Sequence, residues 1–224
     1  MTAAQQLLTL VPISYVLGSL PFGLWVGLSK GIDPRKAGSG NIGATNLGRL
    51  LGGKFFAIVF TLDFFKGLLP TLAASWVVHH SGETPQARIY LLWLLVGFAA
   101  IVGHMFSLFL RFKGGKGVAT SAGVMVGVFP DYTIAAGFVI LVFLVCFYLS
   151  RIISLSSMAG AVLFPVIFVG ISFLRGQDVL GARWPLLALA VLVAVMVLWK
   201  HRSNIKRLRA GTEPRFGKTA KAGA

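Results

Sequence analysis

Apolar residues gather into seven runs, roughly 4–28, 54–78, 89–110, 116–129, 132–150, 155–174 and 184–200, separated by short polar stretches. Runs that approach the length needed to cross a hydrocarbon core of about 30 Å, at about 1.5 Å per helical residue, read as membrane helices. The fourth run is short for a span. Pro130-Asp131 after it reads as a tight turn between two helices, with a merged or re-entrant segment as the alternative. The pattern therefore predicts an all-α, polytopic transmembrane bundle of about seven spans, with residues 1–208 as one domain and 209–224 as a basic, flexible tail.

Composition strengthens this picture. The chain is 56% hydrophobic and 12% charged, whereas about a quarter of the residues of a soluble domain carry charge. The single cysteine, Cys146, lies inside an apolar run and supports neither a disulfide framework nor a multi-cysteine metal site. Met1–Leu10 contains no lysine or arginine, so the first run reads as a retained membrane helix and not as a secretory signal.

Charge adds a direction. The 30–54 loop, the 111–116 loop, Arg151 and the segment from residue 200 onward together hold 17 basic residues; the opposite side holds Arg88, Arg175 and Arg183, offset by Glu83, Asp131 and Asp178. By the positive-inside rule the rich face is cytoplasmic, the N-terminus outside and the C-terminus inside. Much of the net charge of +15 is thereby explained by topology and contact with anionic lipid, and nucleic-acid binding is not expected of bases spread over loops between spans.

Three polar stretches on that face exceed what topology needs. Gly38-Ser39-Gly40-Asn41-Ile42-Gly43-Ala44-Thr45-Asn46, followed by Arg49, alternates glycines with hydroxyl and amide side chains; glycines let backbone N–H groups approach a ligand, and Ser, Asn and Thr add donors. RFKGGKGVAT at 111–120 lacks the Ser or Thr that a Walker phosphate loop needs after its lysine. It still places Gly114, Gly115, Lys116 and Gly117 where an apolar helix begins, and a helix N-terminus attracts anions. His104 precedes this loop as a packed interfacial histidine or a ligand contact. The third stretch is split: Ser154, Ser156 and Ser157 read as helix caps, and His201 and Asn204 share a face on a continued helix. Asp63 and Lys66, at i and i+3 within the second run, read as a structural ion pair. Only Asp33 and Glu213 are acidic on the rich side, and with few histidines this argues against carboxylate-bound Mg²⁺, a zinc site or two-carboxylate chemistry. Cations, hydroxyls, amides and glycines make a set that binds phosphate, in more than one copy.

GSLPFG at 18–23, AGSGNIGATNLGR at 37–49, GHMFSLFLRFKGGKGVAT at 103–120 and HRSNIKRLRAGTE at 201–213 resemble the PlsY family, the bacterial acyl-phosphate:glycerol-3-phosphate acyltransferases. The resemblance implies a seven-helix fold in the cytoplasmic (inner) membrane with a cytoplasm-facing site. The implied reaction moves an acyl group from acyl-phosphate to the 1-hydroxyl of glycerol 3-phosphate, giving lysophosphatidic acid and inorganic phosphate for phospholipid synthesis. No cofactor and no metal is implied. The partners are membrane lipid, the two phosphorylated substrates and, transiently, the soluble enzyme that makes acyl-phosphate. Carried over by motif position, Lys116, His201 and Asn204 are the catalytic candidates. Ser39, Asn41, Thr45, Arg49, His104, Gly114, Gly115, Gly117 and Ser154 are the substrate-binding ones. The HxxxxD signature of acyl-CoA-using acyltransferases follows none of the four histidines; the base is either the substrate's own phosphate or His201. Ser107 stands where the family pattern leads one to expect proline, a departure expected to act on helix geometry. A transporter of a phosphorylated metabolite is the alternative, but it calls for polar groups deep in several spans, where only Asp63 and Lys66 are found.

Overall fold

The computed structural model describes residues 1–82 and 84–216, and all regular structure there is helical. The first apolar run forms α1 (Ala3–Ser19) and α2 (Phe22–Leu28), broken at Leu20-Pro21 because Pro21 has no N–H to continue the ladder. A short amphipathic α3 (Ala44–Leu51) lies in the loop before α4 (Gly53–His80). Next come α5 (Ala87–Met105), a 3-10 turn at Leu108–Leu110, α6 (Val118–Gly127), α7 (Thr133–Ser150), α8 (Ile153–Leu174) and α9 (Trp184–Lys200). The last helix, α10 (Arg202–Arg209), bends 60° away from α9.

Five apolar stretches, Ala3–Leu28, Gly53–His80, Ala87–Leu110, Thr133–Ser150 and Ile153–Leu174, are long enough to cross a bilayer, and α9 with α10 makes a sixth if the bent pair counts as one. The fourth run differs from the sequence pattern. Its helix α6 has 10 residues and rises only about 15 Å, half a hydrocarbon core. It can be short because it packs along α4, where a Cβ on Gly67 would overlap the Thr120 carbonyl and one on Gly123 the Phe64 carbonyl. Likewise α1 and α5 cross closely at Gly18 and Gly103, and Ser14 donates to the Val96 carbonyl at 2.7 Å. Ser107 sits at the end of this crossing, where its hydroxyl donates to the Ser19 carbonyl at 2.6 Å. The helix α5 is central, with 61% of its spanning window buried against 17% for α7.

The C-terminal stretch departs further from expectation. Residues from 209 read as a flexible tail, yet the chain turns back after α10. Phe216 donates its N–H to the Arg151 carbonyl at 2.7 Å, and its ring packs edge-on against Phe56 and Phe147. Burial of Glu213 and the ring contacts of the half-buried Phe216 supply what composition did not show. Residues 217–224 of the expected tail lie outside the described residues.

Candidate active site

A cavity opens at the basic end of the bundle, walled by α3, α4, α7, α8, Lys116 and Gly117, the start of α6 and the α9–α10 bend. Its first wall is the glycine-rich loop, folded around the buried side chain of Asn46. That amide nitrogen reaches the carbonyls of Pro34, Ala37 and Asn41 at 2.8–3.1 Å, and its oxygen accepts the Ser39 N–H at 2.9 Å. Gly38 and Gly40 take positive φ of 59° and 70°, a region where side chains are strained, so the loop turns tightly enough to place Ser39, Asn41, Thr45 and Arg49 on the cavity.

The second wall shows two different jobs for glycine. Gly114 and Gly115 spend their N–H groups on the Met105 and His104 carbonyls, at 3.2 and 3.0 Å, and do not line the cavity. Their expected role as phosphate donors is corrected by this geometry: a Cβ at Gly115 would overlap His104 Nε2, so glycine is required for the loop to lie on that ring. Gly117, with φ of 83°, opens α6 without a side-chain cap, and Gly117, Val118 and Ala119 face the cavity. The amides of that first turn have no partner within the helix.

Between these walls Lys116 Nζ donates to Asn204 Oδ1. Burial pushes the Lys116 ammonium down to about 8, with Arg207 and Arg49 adding to the effect and Glu213 opposing it. His201 closes the bend after α9. Its Nδ1 lies 2.8 Å from the Val197 carbonyl, an acceptor, so the neutral ring carries its proton there and leaves Nε2 as an acceptor. Ser154 is in the cavity wall but caps nothing. It lies inside α8 and donates to Glu213 Oε1 at 2.7 Å, while Ser156 and Ser157 bond back to Ile152 and Ile153.

The sequence reading missed Glu213, Arg207 and Asp63. Glu213 accepts from Asn204 and Arg207 at 2.7 Å each and lies 3.7 Å from Arg49. Burial would raise its carboxyl, but the hydrogen bonds from Ser154, Asn204 and Arg207 outweigh that and hold it below the usual range. The available signal was a lone acid closing the basic stretch HRSNIKRLRAGTE at 201–213. Asp63 pairs with Lys66 as expected, yet it also lines the cavity beside His104. Phe56, Phe60, Phe143 and Ile153 complete the wall with apolar surface. Among the described residues no three of His, Cys, Asp and Glu come together as metal ligands.

Comparison with known proteins identifies relatives of the whole chain. The family described as glycerol-3-phosphate acyltransferase matches residues 8–211. Among curated relatives, a glycerol-3-phosphate acyltransferase of Listeria monocytogenes serovar 1/2a is 42% identical over 216 residues, covering 94% of this chain and 97% of the relative. One of Trichlorobacter lovleyi is 46% identical over 203 residues, covering 91% and 94%. Two crystal structures of PlsY, an integral membrane glycerol 3-phosphate acyltransferase, superpose with TM-scores of 0.78 (glycerol 3-phosphate form, 38% identical) and 0.77 (lysophosphatidic acid form, 37% identical), each over 95% of this chain and 96% of the other. With sequence identity and superposition both extending over nearly its whole length, this chain belongs to the glycerol-3-phosphate acyltransferase (PlsY) family.

Proposed function

We propose that the chain transfers an acyl group from acyl-phosphate to the 1-hydroxyl of glycerol 3-phosphate at the cavity bounded by Lys116, Arg49 and Arg207, on the cytoplasmic face of a bacterial inner membrane. The observation that carries this reading is one wall that joins cations and N–H donors to phenylalanine side chains. Such a wall suits a phosphate head attached to an acyl tail, and its three cations suit more than one phosphate. The count of basic loops supports the inward orientation.

Acyl-phosphate is already activated, so the bound hydroxyl attacks the carbonyl directly once the two substrates are held together. The carbon–oxygen bond to phosphate breaks, inorganic phosphate leaves, and the ester bond forms. Lys116 and the free amides of the α6 start stabilise negative charge on the carbonyl oxygen and the departing phosphate. Ser39, Asn41, Thr45, Arg49, Ser154 and Asn204 bind and orient the substrates. The hydroxyl proton passes to a phosphate oxygen of the substrate or to His201 Nε2. Handover of the apolar donor from a soluble enzyme would use the neighbouring basic surface around Lys200, Arg202 and Arg207.

The test uses purified protein in nanodiscs with acyl-phosphate and labelled glycerol 3-phosphate, without acyl-CoA or added metal. Formation of labelled lysophosphatidic acid with one equivalent of phosphate is expected. Its absence would overturn the donor assignment.

A further inference from the structure

Asp63 lies well inside a spanning helix, with its side chain 4% exposed and its Oδ1 2.7 Å from Lys66 Nζ. That ammonium also donates to the Leu20 carbonyl at the α1–α2 break, at 3.0 Å. A buried ion pair is a poor source of net stability, because apolar side chains of like size often do as well. Ion pairing alone therefore does not account for a carboxylate at the cavity wall. Two further contacts do.

Asp63 Oδ1 lies 3.6 Å from His104 Nδ1, a nitrogen shielded from solvent and without a hydrogen-bond partner. The other face of the ring is fixed as well: a Cβ on Gly115 would overlap Nε2, and the His104 carbonyl accepts the Gly115 N–H at 3.0 Å. The imidazole thus lies between Asp63 and the residue next to Lys116, tightly against Gly115 and more loosely beside Asp63. On the far side of Lys116, the Asp63 carbonyl accepts from Thr120 Oγ1 at 3.0 Å in the first turn of α6. One residue of α4 braces the chain on both sides of the lysine.

We propose that Asp63 is a positioning residue: through His104 and Gly115 it sets where Lys116 presents its ammonium. The proposal rests on Lys116 being a phosphate ligand of the reaction above. It requires an acceptor oxygen at Asp63 facing the His104 Nδ1 edge, a contact of 3.6 Å that is longer than a formed hydrogen bond, and it does not require the negative charge. Two double variants separate these properties. Asp63→Asn with Lys66→Met keeps an acceptor oxygen, whereas Asp63→Leu with Lys66→Met removes it; both remove the two buried charges together, so neither strands an ion.

In nanodiscs, the Asn pair should keep kcat within about 5-fold of wild type. The Leu pair should lose about 100-fold, the scale on which a misplacement of an ångström acts. The loss should fall on kcat, with the KM for glycerol 3-phosphate within about 2-fold, because the lysine contact strengthens as charge moves to the leaving phosphate. Inorganic-phosphate binding should weaken about 10-fold in the Leu pair alone. Equal losses in the two pairs, whether small or large, would overturn the proposal, since they would mean that packing or charge is what matters. If the Leu pair fails to fold, Gly115→Ala decides, because its methyl presses on the His104 ring and leaves the ion pair intact. A large kcat loss in folded protein is expected, and wild-type turnover overturns the relay. Absence of turnover in the wild type would instead fault the donor assignment, and phosphate binding by the same variants would then decide this proposal alone.

Discussion

The two ends of the bundle each bury a carboxylate beside arginine, yet only one end forms a candidate catalytic site. At the sparsely charged end, Asp131 pairs with Arg183 one to one, in the turn after α6. Burial pushes the Asp131 carboxyl up while Arg183 pulls it back. At the basic end, a single carboxylate, Glu213, answers Arg207 and Arg49, with Lys116 close enough to share its field. The first arrangement sets one acid against one arginine, whose Nη1 is buried without a hydrogen-bond partner. The second leaves positive charge in excess around an open cavity, with Arg49 Nε buried and unpartnered. An ion pair by itself is a structural fitting; surplus cation with space in front of it is a binding site.

The largest effect should come from removing that surplus. Lys116→Ala is expected to lower kcat/KM about 10³-fold in protein that still inserts and folds, as measured by lysophosphatidate formation beside a thermal melt. Arg183→Met at the other end should leave turnover within about 2-fold, and a loss there comparable to that of Lys116→Ala would erase the contrast between the ends. Removing the acids comes next. Glu213→Ala leaves the half-buried Arg49 and Arg207 and the buried Ser154 and Asn204 without their carboxylate partner, and should cost about 3–5 kcal/mol of stability. Asp131→Ala leaves an arginine that is 22% exposed and should cost about 1–3 kcal/mol.

A smaller, graded effect follows from pH. The Lys116 ammonium is pushed down to about 8 in the substrate-free site, and only its protonated form attracts phosphate. As pH rises through about 8 the cation is lost, so log kcat/KM should fall toward a slope of minus one, a parameter that reports the free enzyme. Lys116→Arg should move that limb upward. The least effect is expected of Ser107→Pro. It removes the bond to Ser19, worth about 1 kcal/mol, but Ser107 already has φ of −62°, and proline recovers about 0.4–1 kcal/mol from the unfolded chain. The melting temperature should stay within about 3 °C.

Helices were legible in the sequence wherever a long apolar run fixed them, as in α4, α5 and α8, since the bilayer enforces both length and composition. The extent of α6 was not, because what permits a short helix there is glycine contact with α4, more than 50 residues away in the chain. The site divides similarly. Ser39, Asn41, Thr45, Arg49, Lys116, His201 and Asn204 stand out by residue type against an oily background, and the cavity gathers them. Glu213 was read as part of a flexible tail, although it bonds Ser154 across 59 residues; composition carries no record of such a contact. Gly114 and Gly115 were legible as necessary glycines, but their necessity comes from His104 behind them and not from a ligand in front.

The cavity draws on the loop before α4 and on the turn that follows α9 and α10. Its parts therefore enter the membrane at opposite ends of synthesis. A chain halted between α4 and α9 would already display Arg49, and after α6 Lys116, but would lack Asn204 and Glu213 to seat them. Until the last turn is assembled the cavity therefore lacks part of its wall, so the chain must complete all of its helices before the site is whole.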